Sequence, residues 1–138
     1  GGEMDEMKRQ VREVREVFQD ADKTTFVCVM IPEFLSLFET ERLIQELANF
    51  EIDCSNIVVN QVLFPEAAHC ALCTARCAMQ AKYLEQADAL YADDFHVVLM
   101  PLLHNEVRGV PALAAFSDRL VDGSGARPTV PVAAAAPV

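Results

Sequence analysis

Three short apolar runs, TFVCVMI (25–31), NIVVNQVLF (56–64) and FHVVLM (95–100), each run into a proline, at Pro32, Pro65 and Pro101. Runs of this length, rich in Val and Ile and with little alternation, are too short for helices. They suit strands buried on both faces, as in a parallel sheet. The intervals between them are helical in pattern. In residues 33–50, EFLSLFETERLIQELANF, an apolar stripe is expected from Phe34, Leu37, Phe38, Ile44 and Leu47, with Pro32 at the first helical position. Residues 73–92 are rich in Ala, Gln, Leu and Glu, and residues 110–121 read as a last helix. Ahead of the first strand, Met4, Met7, Val11, Val14 and Phe18 recur at three- and four-residue steps, which predicts an amphipathic helix over 3–18, followed by a turn at 20–23. After that helix the order is β-α-β-α-β-α. This predicts an α/β fold with a parallel sheet and helices on both faces, and a ligand site outside the carboxyl ends of the strands.

Bulk properties narrow the function. The chain has 138 residues, enough for one domain with a real core. A formal net charge of -10 argues against nucleic acid as a partner, since phosphate binding needs a positive face. No apolar run approaches the roughly 20 residues of a membrane helix, and the opening GGEMDEMKRQ is charged, unlike a signal peptide. Five cysteines cannot all pair within one chain, so reduced thiols in a cytosolic setting are expected. From Val121 the sequence VDGSGARPTVPVAAAAPV is dominated by Gly, Pro and Ala, and a disordered tail over 121–138 is expected.

The strand ends hold the candidate chemistry. Glu33 lies two residues past the first run, Asn60 and Gln61 interrupt the second, and PLLHNEVRG (101–109) follows the third. Asn60 is unusual, because Asn is depleted in strands. Its carboxamide can donate and accept together, which matches an adenine edge, or it can be satisfied by a neighbouring loop backbone. Glu33 has an equal alternative as a carboxylate favoured by a helix N-terminus, and Arg108-Gly109 can be a plain turn. The five glycines are Gly1, Gly2, Gly109, Gly123 and Gly125, and none lies in a phosphate-cradling strand–loop–helix motif.

HCALCTARC (69–77) concentrates three cysteines and a histidine. Cys70 and Cys73 have the CxxC spacing that lets two thiolates face one ion, which is half of a tetrahedral site. Four outcomes are open. His69 and Cys77 can complete an internal site. The pair can act as a redox disulfide. Two copies on a two-fold axis can each give two thiolates. The cysteines can also be small side chains opening a helix.

TTFVCVMIPEFLSLFETERLIQELANFEIDCSNIVVNQVLFPE, CALCTARCAMQAKYLEQADALY, DDFHVVLMPLL and EVRG resemble the arsenical pump-driving ATPase family. They are most similar to its eukaryotic branch, cytosolic ATPases that target tail-anchored membrane proteins to the endoplasmic reticulum. The resemblance runs from about Met4 to Leu120. It implies the C-terminal part of a P-loop NTPase-type parallel sheet flanked by helices, with residues 1–19 closing a helical client-binding subdomain and the P-loop lying upstream, so that this portion alone would be inactive. It also implies ATP or ADP with Mg, a homodimer, hydrophobic transmembrane segments of tail-anchored proteins as clients, and a receptor at the endoplasmic reticulum membrane. On matching positions, Asn60 would contact adenine, Pro101 and Leu102 would line its pocket, and Glu33 and Glu39 would approach the nucleotide across the dimer. Cys70 and Cys73 match the zinc-binding CxxC, shared between two subunits, with His69 and Cys77 outside the ligand set. Where the branch often carries CxC, this chain has Cys28-Val29-Met30, and Met30 cannot form a disulfide. Cys77 stands where the family usually has a bulky aromatic residue. An arsenite-pump subunit and a non-catalytic zinc-linked dimerisation or holdase module are the competing readings.

Overall fold

The computed structural model describes residues 1–64 and 70–122. Pro65, His69 and the Ala/Pro-rich tail beyond 122 lie outside the described residues. The elements are α1 (Gly2–Gln19), β1 (Phe26–Met30), α2 (Phe34–Asn49), β2 (Cys54–Val62), α3 (Ala71–Tyr91), β3 (His96–Pro101) and α4 (Val110–Asp122). The three strands form one parallel sheet in the order β1-β2-β3, so the expected α/β architecture is present.

Register decides where the core sits. Cys28, Ile57 and Val97 share one row and Met30, Val59 and Leu99 the next but one, so all six face the same side. Leu37 and Leu47 of α2 and Ala87 and Tyr91 of α3 join them in one cluster. Ile57, Val59 and Val62 have no exposed surface. Each contributes about 1.5–3 kcal/mol relative to an exposed position. The Tyr91 hydroxyl donates to Glu41 Oε2 at 2.9 Å and its ring meets Phe95 edge-on, tying α2, α3 and the approach to β3 together. α4 packs against β3.

Three expectations are corrected. β1 is not buried on both faces, since Val27 and Val29 are 49% and 64% exposed while Cys28 and Met30 are buried. β1 is an edge strand, and no described element covers that side of it. Phe34 and Phe38 are exposed rather than core, and stack on each other at 6.2 Å. The buried side of α2 instead runs through Leu37, Thr40, Ile44 and Leu47 at three- and four-residue steps, which leaves 34 and 38 on an adjacent line. Pro32 is not the first helical residue. α2 is capped by an extended Glu33, whose N–H bonds Ile31 O at 2.8 Å. Pro32 is therefore the centre of a three-residue turn, a place its fixed φ suits, and its ring is fully buried.

α1 forms as predicted, yet none of its residues is buried. It is fastened near its C-terminus, where Phe18 meets Phe26 edge-on at 6.2 Å and the Gln19 side chain donates to Phe50 O at 2.7 Å.

Cys28 and Cys54 bring their sulfurs to 3.6 Å inside the sheet. Burial, with Cys54 beside it, pushes the Cys28 thiol up to about 12 from an ordinary 9.0. A thiol whose folded pKa is raised supports the fold fully below its unfolded pKa, and that support is lost as pH rises through the folded value. Stability is therefore expected to fall between about pH 9 and 12, and Cys28→Val to flatten this fall. Urea midpoints across that range check it, and identical slopes for both proteins would contradict it.

Candidate functional site

The carboxyl ends of β2 and β3 are joined by an irregularity. Between the pairs Val59↔Leu99 and Val62↔Pro101, β2 has two residues, Asn60 and Gln61, where β3 has only Met100. This is a bulge, and it explains how a strand with Asn in it ends. Without the extra residue Val62 would face away from the core, because a one-residue slip flips every later side chain. With it, Val62 is fully buried and the ladder resumes, Leu102 N donating to Val62 O at 2.9 Å. Gln61 takes the strained position with φ 58, a left-handed conformation that is uncommon for a non-glycine residue.

Asn60 is half-buried at the head of this bulge. Its Oδ1 accepts from Gln61 N at 2.9 Å. Of the two sequence alternatives for Asn60, the backbone partner is the one present in the geometry. The oxygen is engaged by backbone, and among the described residues its Nδ2 has no partner. A carbonyl oxygen carries a second lone pair, so the carboxamide can still donate and accept toward a flat polar edge. Pro101 and Leu102 stand next to Val62 across the ladder, giving an apolar flank.

Glu33 lies beyond the end of β1, exposed, as the N-cap of α2 with no side-chain capping bond. It shares the carboxyl edge of the sheet with Asn60. Glu39 does not. It sits in the second turn of α2, exposed, 3.7 Å from Arg42. Arg108 likewise pairs with Glu106 at 3.7 Å, and Gly109, with φ 81, makes the turn into α4.

The cysteine pair opens α3. Cys70 is the N-cap and its sulfur accepts from Cys73 N at 3.1 Å. The two sulfurs stand 2.9 Å apart and exposed. The Cys73 thiol and backbone N–H hold the Cys70 thiol below its ordinary value, while the neighbouring Cys70 pushes the Cys73 thiol up. Zn–S bonds of about 2.3 Å at tetrahedral angles place two thiolates about 3.8 Å apart. The pair needs only to spread slightly, so it fits as two of four ligands. Among the described residues no third His, Cys, Asp or Glu joins it. Cys77, one turn on, is half-buried and outside the group, and His69 lies outside the described residues.

Sequence reading missed Gln80, whose side chain bonds Gln61 O and Leu63 N at the exit of the bulge. Its signal was available. Cys77, Gln80, Leu84, Ala87 and Tyr91 recur at three- and four-residue steps, so a glutamine sits on the stripe that turns inward.

The model of the anion-transporting ATPase family matches residues 2–122. An ATPase ASNA1 homolog of Trypanosoma cruzi is 54% identical over 117 residues, covering 83% of this chain and 32% of that protein. The ATPase get3 of Aspergillus niger is 57% identical over 120 residues, covering 86% of this chain and 35% of the relative. The ATPase GET3 of Komagataella phaffii is 55% identical over 117 residues, with 85% and 34% covered. The chain thus spans about a third of the length of the curated relatives it matches. With its parallel sheet and a matched segment that includes every described element, the chain belongs to the anion-transporting ATPase family.

Proposed function

We propose that this chain is the C-terminal portion of a homodimeric ATPase that works in the cytosol, binds tail-anchored membrane proteins and delivers them to the endoplasmic reticulum. ATP binding would close the dimer around a hydrophobic client, and hydrolysis with receptor docking would release it. The observation that carries this reading is the shared end of β2 and β3, where the Asn60 amide has no partner among the described residues and Pro101 and Leu102 lie across the ladder from Val62. In a family of ATPases, such groups at the carboxyl ends of parallel strands support a reading as a base-recognition edge.

Each residue has a part. Asn60 donates to and accepts from the adenine edge, and Pro101 and Leu102 exclude water from one side of the ring. Glu33, on the same edge, and Glu39, further along α2, approach the nucleotide of the opposite subunit. Cys70 and Cys73 hold zinc jointly with the same pair of a second copy. Zinc, when bound, supplies a rigid cross-link. The Mg-nucleotide phosphates require a glycine-rich loop, and this sequence contains none. The exposed apolar stripe of α1, Met4, Met7, Val11 and Val14, suits the edge of a client-binding surface. Among the described residues no helix is long and apolar enough to cross a membrane. A receptor at the endoplasmic reticulum membrane receives the client.

Synthesis of a tail-anchored protein in the presence of the intact protein, followed by addition of microsomes, tests this. ATP-dependent insertion that stops with a non-hydrolysable analogue is expected. Client shielding without nucleotide dependence would favour a holdase, and ATP hydrolysis stimulated by arsenite with no client capture would favour a pump subunit.

A further inference from the structure

The bulge at the end of β2 leaves backbone groups that the ladder with β3 does not reach. One side chain meets two of them. Gln80, in the middle of α3 and 9% exposed, accepts from Leu63 N through Oε1 at 2.8 Å and donates from Nε2 to Gln61 O at 3.0 Å. Its carboxamide stands in for one link of a strand ladder. The positions around it on α3 are Cys77, Leu84 and Ala87, where an apolar residue of similar size would pack equally well. A glutamine is worth burying there only if both of its polar ends are used, and both are.

What the two bonds hold is the backbone on either side of Val62, directly after the strained Gln61. Gln61 N in turn donates to Asn60 Oδ1 at 2.9 Å, and that bond sets the direction in which Asn60 presents its amide, which has no partner among the described residues. The chain of contacts runs from α3 through the bulge to the side chain at the strand end. We propose that Gln80 is a positioning residue for base recognition, acting on the nucleotide only through Asn60. This rests on the reading of Asn60 as an adenine contact.

Affinities of the intact protein for ATP and GTP, measured side by side, give a readout that a merely structural role would not move. Gln80→Leu is expected to lower the ATP-over-GTP preference by about tenfold, approaching the effect of Asn60→Asp. Gln80→Glu keeps an acceptor for Leu63 N but has no donor for Gln61 O, so it should fall between, and it carries the test if the leucine variant does not fold. Leu47→Ala, a core truncation away from the bulge, should lower stability without changing the preference. Amide exchange at Leu63 in the nucleotide-free protein should accelerate in Gln80→Leu. An unchanged ATP-over-GTP preference in both Gln80 variants, with Asn60→Asp impaired, would overturn the proposal and leave the Asn60 reading intact. If the unmodified protein shows no preference for ATP, the Asn60 reading falls. Exchange at Leu63, with the Asn60 side-chain resonance, then decides the clamp alone: retained protection and an unmoved resonance in Gln80→Leu would overturn it.

Discussion

Cys70→Ser combined with Cys73→Ser is expected to take zinc in the purified protein from about half an ion per chain to none. The dissociation constant of the dimer should rise by about a hundredfold or more, since structural zinc contributes about 10–16 kcal/mol to the states that hold it. The substitution is well controlled by the local structure. Cys70 is the N-cap of α3, and its sulfur accepts from Cys73 N. Serine is a strong N-cap with the same acceptor role, so α3 stays capped while the metal ligands are lost. Metal analysis with light scattering reads both quantities. A chelator added to the unmodified protein should reproduce the result, and acid should too, because the thiols must lose protons to bind. A monomer that retains one full zinc per chain would sink the shared site, as would an unchanged dimer after the double substitution in the presence of zinc.

The second large effect is at the strand end. Asn60→Asp should weaken ATP binding by about tenfold to a hundredfold on the intact protein. The aspartate keeps the oxygen that accepts from Gln61 N, so the bulge need not change. It removes the amide donor and brings a carboxylate to face the base. Binding of a triphosphate that lacks a base should be unaffected, which separates base recognition from loss of fold. Calorimetry or a fluorescent nucleotide measures this. Equal affinity of Asn60→Asp and the unmodified protein for ATP would remove Asn60 from the site.

The place of these residues was legible to different depths. The CxxC is a local motif, and the helix start that brings its sulfurs to 2.9 Å is local as well, so spacing was enough to identify it. Asn60 stood out because a carboxamide interrupts an apolar run. Its two alternatives could not be separated there, because the partner of its oxygen depends on a backbone turn at Gln61 that no propensity favours. Gln80 was written on the inward stripe of α3, and its meaning emerged only when the helix lay against the bulge. The exposure of Phe34 and Phe38 was hidden for a related reason. Three- and four-residue spacing defines a helix face, and which of two adjacent lines is buried is settled by the neighbour.

Sequence by itself determined the element order, the parallel sheet and the cysteine pair, because each follows from periodicity, proline punctuation or short-range spacing. Tertiary structure alone decided that β2 ends in a bulge, that Val62 therefore turns into the core, and that Gln80 closes the gap. Those are non-local hydrogen bonds, and their partners are 17 and 19 residues apart in the chain. A backbone group left unpaired by an extra residue must be satisfied by whatever packs next to it, and the packing of α3 on the sheet is what supplies that neighbour.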